Sequence, residues 1–302
     1  MSIATLDISS PDGASTATFA PAAGMVCCSL RHGGEELLDL GRGLDAYAER
    51  GNTMGIPLLY PWANRLAEFS YEAAGRGVVL PEDPQQLPHD PNGLPIHGLI
   101  PRLMPWEASL RGSTLTARLE WGAEQLLALY PYRHEVELQA EIATGALTVT
   151  VLVRATGQDS VPISFGFHPY LRLPSSLRED TEVTLPACER LLLDERSIPT
   201  GAREALGPTA FELAQTSWDD GLSVSESPAR FTSRAPQPGR RIALELLGGY
   251  PFAQVFAPPG SDFICFEPMT APTNALRSGE GLSVLKPGEE YRAAFRISRV
   301  PS

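Results

Sequence analysis

Two adjacent stretches, HEVELQAEI and ALTVTVLVRA, alternate apolar and polar residues with a period of two. Val136, Leu138, Ala140 and Ile142 share one face of the first. Leu147, Val149, Val151 and Val153 share one face of the second, with Thr148, Thr150 and Arg154 opposite. Side chains segregate at that period only on a strand, because an α-helix repeats every 3.6 residues. The ATGA between them supplies Gly145, which tolerates positive φ, so the pair reads as a hairpin. MVCCSLRHGGEELLDL reads the same way, turning at Gly33 and Gly34, and YRAAFRISRV reads as a closing strand. AEQLLAL is the best short helical candidate. The 27 glycines and 28 prolines are scattered as punctuation and do not gather in one linker. Many short strands with frequent turns predict a large antiparallel all-β sandwich or barrel. The loop-rich 81–95 stretch is expected to be a mobile insertion.

A chain of 302 residues can bury a large core unaided. Its formal charge of −12 argues against a nucleic-acid partner and against an anionic membrane surface, both of which need clustered Lys and Arg. No apolar run approaches the roughly 18 residues of a membrane helix. The opening MSIATLDISSPDG has neither the basic nor the apolar segment of a secretory signal, so a cytoplasmic location is expected. Cys27 and Cys28 are adjacent and point to opposite faces of a strand. With Cys188 and Cys265 they are expected to be reduced thiols.

Four stretches embed polar groups in apolar or turn contexts. YPWANRLAEF carries Asn64 and Arg65, which suit a binding loop or a structural ion pair. LPIHGLIPR carries His97, a turn residue or a functional imidazole. SFGFHPYLRL carries His168 among aromatics, where a buried histidine either satisfies a backbone carbonyl or does chemistry. FICFEPMTAP carries Glu267 at the end of an apolar strand, with Pro268 expected to stop the ladder. A carboxylate there lies at the rim of a cleft or is paired internally.

The ordered set NR, HG, FHPY and FEP, with LLLDERSIPTG in the middle and a terminal LKPGEEYRAAFRI, resembles the aldose 1-epimerases, or galactose mutarotase-like proteins, from about Gly24 to Val300. The resemblance implies a single β-supersandwich domain over residues 1–302, with a sugar cleft across one concave face. It implies interconversion of the α and β anomers of a free aldohexose without a cofactor. That reaction moves two protons: the anomeric hydroxyl loses one and the ring oxygen gains one. By resemblance Glu267 is the general base, His168 the general acid and His97 a second donor to the ring oxygen. Arg65 binds a sugar hydroxyl and Asn64 shapes its loop. SWDDGL resembles the segment whose aspartate grips ring hydroxyls; Asp219, directly after Trp218, is preferred over Asp220, since neighbours on a strand face opposite ways. Trp62 or Tyr170 could pack on an apolar sugar face or in the core. The expected partner is a small sugar, bound by a monomer or homodimer.

Three rival readings remain at this stage. A hexose 6-phosphate epimerase would need a further cationic pocket, for which Arg102 and Arg172 are candidates. The same fold could serve a sugar-binding protein without catalysis. His97, His168 and Glu267 could hold a divalent metal, although none has local ligand spacing.

Overall fold

The computed structural model describes residues 3–51, 53–99, 106–237 and 240–300. The alternating stretches form the long strands they predict. His134–Ala143 and Ala146–Ala155 pair antiparallel through ten residues each, with Gly145 at φ 71° between them. They lie in a nine-stranded sheet that also contains the closing strand Glu290–Arg299, paired along Ala146–Ala155. A second, eight-stranded sheet includes Cys188–Leu193, Trp218–Val224, Phe252–Ala257 and Phe263–Met269, followed by Gly166–Phe167 and Leu58–Leu59. Tyr170–Arg172 also pairs with Phe263–Met269. A four-stranded sheet near the N-terminus contains the hairpin at Gly33 and Gly34, with Arg31 opposite Glu36 and His32 opposite Glu35.

Apolar faces of the two large sheets make the core. Phe266 packs on Phe231 with ring centroids 5.4 Å apart, and Phe167 on Phe295 at 5.0 Å. Val136, Leu138, Val151, Leu222 and Val255 are fully buried in the same cluster. Burial of that apolar area is the main stabilising term, at roughly 25 cal/mol per Å². This is an antiparallel β-supersandwich, the fold class that the resemblance implied.

The helical candidate AEQLLAL contains the short α-helix Glu124–Leu127, as expected, while Leu44–Arg50 and Ala275–Ser278 are further helices that the apolar pattern does not announce. Two local expectations are corrected. Pro268 does not end its strand: Ala253 pairs with Pro268 and Phe252 with Met269. A proline fits there because the neighbouring ladder is itself interrupted, between the pairs Gly166–Met269 and Tyr170–Cys265. The 81–95 loop is anchored. Leu87 is fully buried, the Asp90 carboxylate is shielded from solvent, and His89 bridges Pro95. The four cysteines form no disulfide.

Candidate active site

One face of the eight-stranded sheet becomes polar at its centre. Phe266 and Ile264 turn into the core, so Glu267 and Cys265 turn to the other face. The pairs Gly166–Met269 and Tyr170–Cys265 share one register, which sets His168 directly across from Glu267 in the interrupted ladder. Pro169, lacking an N–H, occupies the interruption. His168 Nε2 and Glu267 Oε1 are 3.3 Å apart, with both side chains buried. On the other edge of the same strand, Gln254 pairs with Glu267. One strand further, Gly221 pairs with Gln254, which places Asp219 diagonally beyond it. Gln254 Nε2 donates to Asp219 Oδ1 at 2.6 Å.

Close packing makes this row possible. A Cβ on Gly166 would lie 2.6 Å from the Pro268 carbonyl oxygen and 2.9 Å from Ala63 Cβ. Tyr170 stacks on His168 with parallel rings, centroids 4.4 Å apart and planes within 1°. Its hydroxyl is 3.4 Å from His168 Nε2 and 2.5 Å from the Thr53 hydroxyl. Phe256 meets the His168 ring edge-on.

The remaining residues come from two loops that grip each other. Asn64 and His97 have φ of 59° and 61°, a region that side chains with a Cβ enter at a cost. Reciprocal hydrogen bonds hold both there: the His97 N–H donates to the Asn64 carbonyl at 2.9 Å, and the Asn64 N–H donates to His97 Nδ1 at 3.3 Å. Because Nδ1 accepts, a neutral His97 carries its proton on Nε2 and offers it as a donor. Burial, reinforced by Arg65, pushes the His97 pKa down to about 3, so the ring is neutral at physiological pH. Its ring centroid is 5.6 Å from that of His168. Next to it, a Cβ on Gly98 would strike the Tyr60 carbonyl at 2.4 Å, so only glycine lets this turn close.

Arg65 spreads its guanidinium over three partners. Nε donates to Asp90 Oδ2 at 2.7 Å, Nη1 to Asn64 Oδ1 at 3.1 Å and Nη2 to Asp219 Oδ2 at 3.4 Å. Asp219 is the most exposed of these groups, at 40% of its side chain. Asp220 faces the other way, with Arg190 Nε 3.4 Å from its carboxylate and Arg190 over the Trp218 ring.

Glu267, His168, His97, Asn64, Arg65 and Asp219 are thus brought together in space from separate segments of the chain. Trp62 is not among them: it is fully buried in the core beside Tyr71. Arg172 lies between Asp39 and Asp262, at 3.9 and 3.7 Å, so its charge is already balanced by two carboxylates. Arg102 lies outside the described residues. Sequence reasoning missed two residues of the assembly, Gln254 and Asp90. The signal for Gln254 was a lone amide in the apolar run FAQVFA.

Burial governs the electrostatics. It pushes the Glu267 carboxyl well above the usual carboxylate range; Asp219 adds to the rise and Arg65 opposes it. It pushes the His168 imidazole well below its usual value, and His97 adds to the fall. Glu267 Oε2 and His168 Nδ1 are buried with no hydrogen-bond partner among the described residues. Such atoms are uncommon in a folded protein and are expected where a ligand supplies the partner. No group of three or more His, Cys, Asp or Glu suited to a metal ion occurs among the described residues.

One face of the sheet thus carries a buried carboxylate–imidazole pair, a second imidazole held neutral by burial, and an arginine clamped by two carboxylates. The fold is shared with solved structures. It matches a galactose mutarotase-like protein from Clostridium acetobutylicum with a TM-score of 0.80, 18% identity and coverage of 95% of this chain and 94% of the other. It matches the Slr1438 protein from Synechocystis sp. PCC 6803 with a TM-score of 0.78, 22% identity and coverage of 99% and 97%. A curated relative, the uncharacterized protein YihR of Escherichia coli K12, is 28% identical over 254 residues, covering 80% of this chain and 77% of its own length. The sequence profile described as aldose 1-epimerase matches residues 16–298, and the chain belongs to that family.

Proposed function

We propose that the protein is a mutarotase that interconverts the α and β anomers of a free aldohexose, with Glu267 and His168 as a pair sharing one proton. The observation that carries this reading is the cross-strand apposition of those two side chains at 3.3 Å, with the His97 ring beside them. Ring opening needs a base at the anomeric hydroxyl and an acid at the ring oxygen in the same encounter. Glu267 takes the hydroxyl proton as the C1–O5 bond breaks, and His168 delivers one to O5. Burial raises the Glu267 pKa and lowers that of His168, so the shared proton rests on Glu267; its passage across the 3.3 Å gap to His168 Nε2 creates the carboxylate and imidazolium, a strong base and a strong acid, that carry out the two transfers. His97 donates its Nε2 proton as a hydrogen bond to the same ring oxygen. The open aldehyde turns about its C1–C2 bond, and reversal of both transfers closes the ring on the other face. The pair recovers its starting protonation at the end of each cycle.

Arg65 and Asp219 hold ring hydroxyls. Arg65 offers planar donors, while the half-exposed Asp219 accepts and is itself fixed by Gln254. The charge balance supports an uncharged sugar over a phosphorylated one, since Arg65 and Arg172 each already face two carboxylates. The cysteines, all free, suit the reducing cytoplasm that we propose as its location.

The test is polarimetry on freshly dissolved α-D-glucose and α-D-galactose, with the corresponding 6-phosphates alongside. Acceleration on the free sugars is expected. Acceleration confined to the phosphates would replace the free-sugar reading, and binding without acceleration would replace the enzymatic one.

A further inference from the structure

The 81–95 loop delivers one carboxylate to the site from behind. The Asp90 side chain is completely buried, and the Arg65 side chain is 11% exposed. The two oxygens of Asp90 have separate tasks. Oδ1 accepts the N–H groups of Asn92 and Leu94, both at 2.9 Å, and so closes the loop on itself. Oδ2 accepts Arg65 Nε–H at 2.7 Å and does nothing for the loop. The loop is tied back to the arginine segment as well: the Leu66 N–H donates to the Pro95 carbonyl, and Arg65 bridges Ile96.

Arg65 therefore sits between a buried carboxylate behind it and the half-exposed Asp219 in front. A guanidinium has five N–H donors, and Asp90, Asn64 and Asp219 take one each. Nε is the donor nearest the stem, so fixing it fixes the plane in which the terminal nitrogens lie. Asn64 and Asp219 hold only those terminal nitrogens. The Asp219 contact is the longest of the three and faces solvent, so it is the weakest constraint on orientation.

We propose that Asp90 is a positioning residue for Arg65: its Oδ2 orients the guanidinium so that the terminal N–H groups face sugar hydroxyls. It touches no reacting atom and acts only through Arg65. The proposal rests on reading this site as the sugar site and deepens that reading by adding a determinant of affinity that the sequence places in an ordinary turn, HDPNG.

Asp90→Asn separates the two tasks, because an asparagine Oδ1 keeps the turn while an amide NH₂ replaces the acceptor facing Arg65. The variant is compared with Arg65→Met and with the double variant, by polarimetric kcat and KM on D-galactose and D-glucose and by thermal melting. Losing a charge-assisted hydrogen bond predicts a KM increase of about 10-fold for Asp90→Asn, with kcat changed far less. In the Arg65→Met background the same change is expected to leave KM alone and to raise the melting temperature, because Arg65→Met strands a buried charge that Asn removes. A loss that repeats in the Arg65→Met background would assign Asp90 a purely structural role and overturn the proposal. If Asp90→Asn does not fold, Asp90→Glu carries the test: a longer arm moves the guanidinium, so KM rises with Arg65 present and stays level in the Arg65→Met background. A wild-type protein that neither binds nor turns over these sugars overturns the reading of the site and the positioning role with it. An active wild type with additive variants overturns the positioning role alone.

Discussion

Gly166→Ala puts a single methyl group between the two strands that carry the acid and the base. Gly166 is in ordinary strand conformation, so the cost is steric and not conformational. The added carbon would sit 2.6 Å from the Pro268 carbonyl oxygen and 2.9 Å from Ala63 Cβ. Carbon atoms rest about 3.5–4.0 Å apart, so relief requires a shift on the order of 0.5–1 Å between the strands. His168 and Glu267 face each other two residues along the same register, 3.3 Å apart. That shift takes the pair beyond hydrogen-bond reach. Overpacking of this kind costs about 1–3 kcal/mol, and at roughly 2 °C per kcal/mol for a chain of this size the melting temperature should fall by roughly 2–6 °C. A misplacement approaching 1 Å costs up to about 100-fold in rate, so kcat should fall by roughly 10- to 100-fold. KM should rise as well, because the second clash is with Ala63, two residues before Arg65. Calorimetry and polarimetry on the same preparation read both effects. An unchanged melting temperature with wild-type kcat would refute the claim that close approach at Gly166 sets the pair.

Other outcomes follow from the same geometry. A second proton on the Glu267–His168 pair would bury net positive charge, and loss of the shared proton would bury net negative charge. Burial therefore lowers the first macroscopic pKa of the pair and raises the second, and kcat/KM should stay flat through the ordinary imidazole range near ~6.5; a limb titrating there would contradict it. Asp219→Ala should raise KM about 10-fold by removing an acceptor beside Arg65, whereas Asp220→Ala, which faces Arg190, should leave KM unchanged in the same titration. Dialysis against a chelator should leave the polarimetric rate unchanged; a loss restored by a divalent ion would revive the metal reading.

Much of the strand architecture was legible because it rests on period two, which a single sequence displays openly. The hairpins at Gly145 and at Gly33–Gly34 needed only that and a turn residue. The site was legible as residue types in order, but not as a constellation. Whether His168 faces Glu267 depends on the pairing register of strands about a hundred residues apart, which no local pattern records. Pro268 was misread for the same reason, since a proline is tolerated mid-strand only where the partner ladder breaks. Asp90 was hidden because HDPNG is an adequate turn on its own, and its second oxygen acquires a purpose only once Arg65 is beside it. The opposite pKa shifts of Glu267 and His168 were equally invisible, because both come from burial.

The central claim is that Glu267 removes the anomeric proton. Glu267→Gln keeps the shape of the side chain and removes its basicity, so the decay of optical rotation of α-D-galactose or α-D-glucose should slow by at least about 100-fold while sugar binding persists. A Glu267→Gln protein that equilibrates the anomers at the wild-type rate would contradict the account.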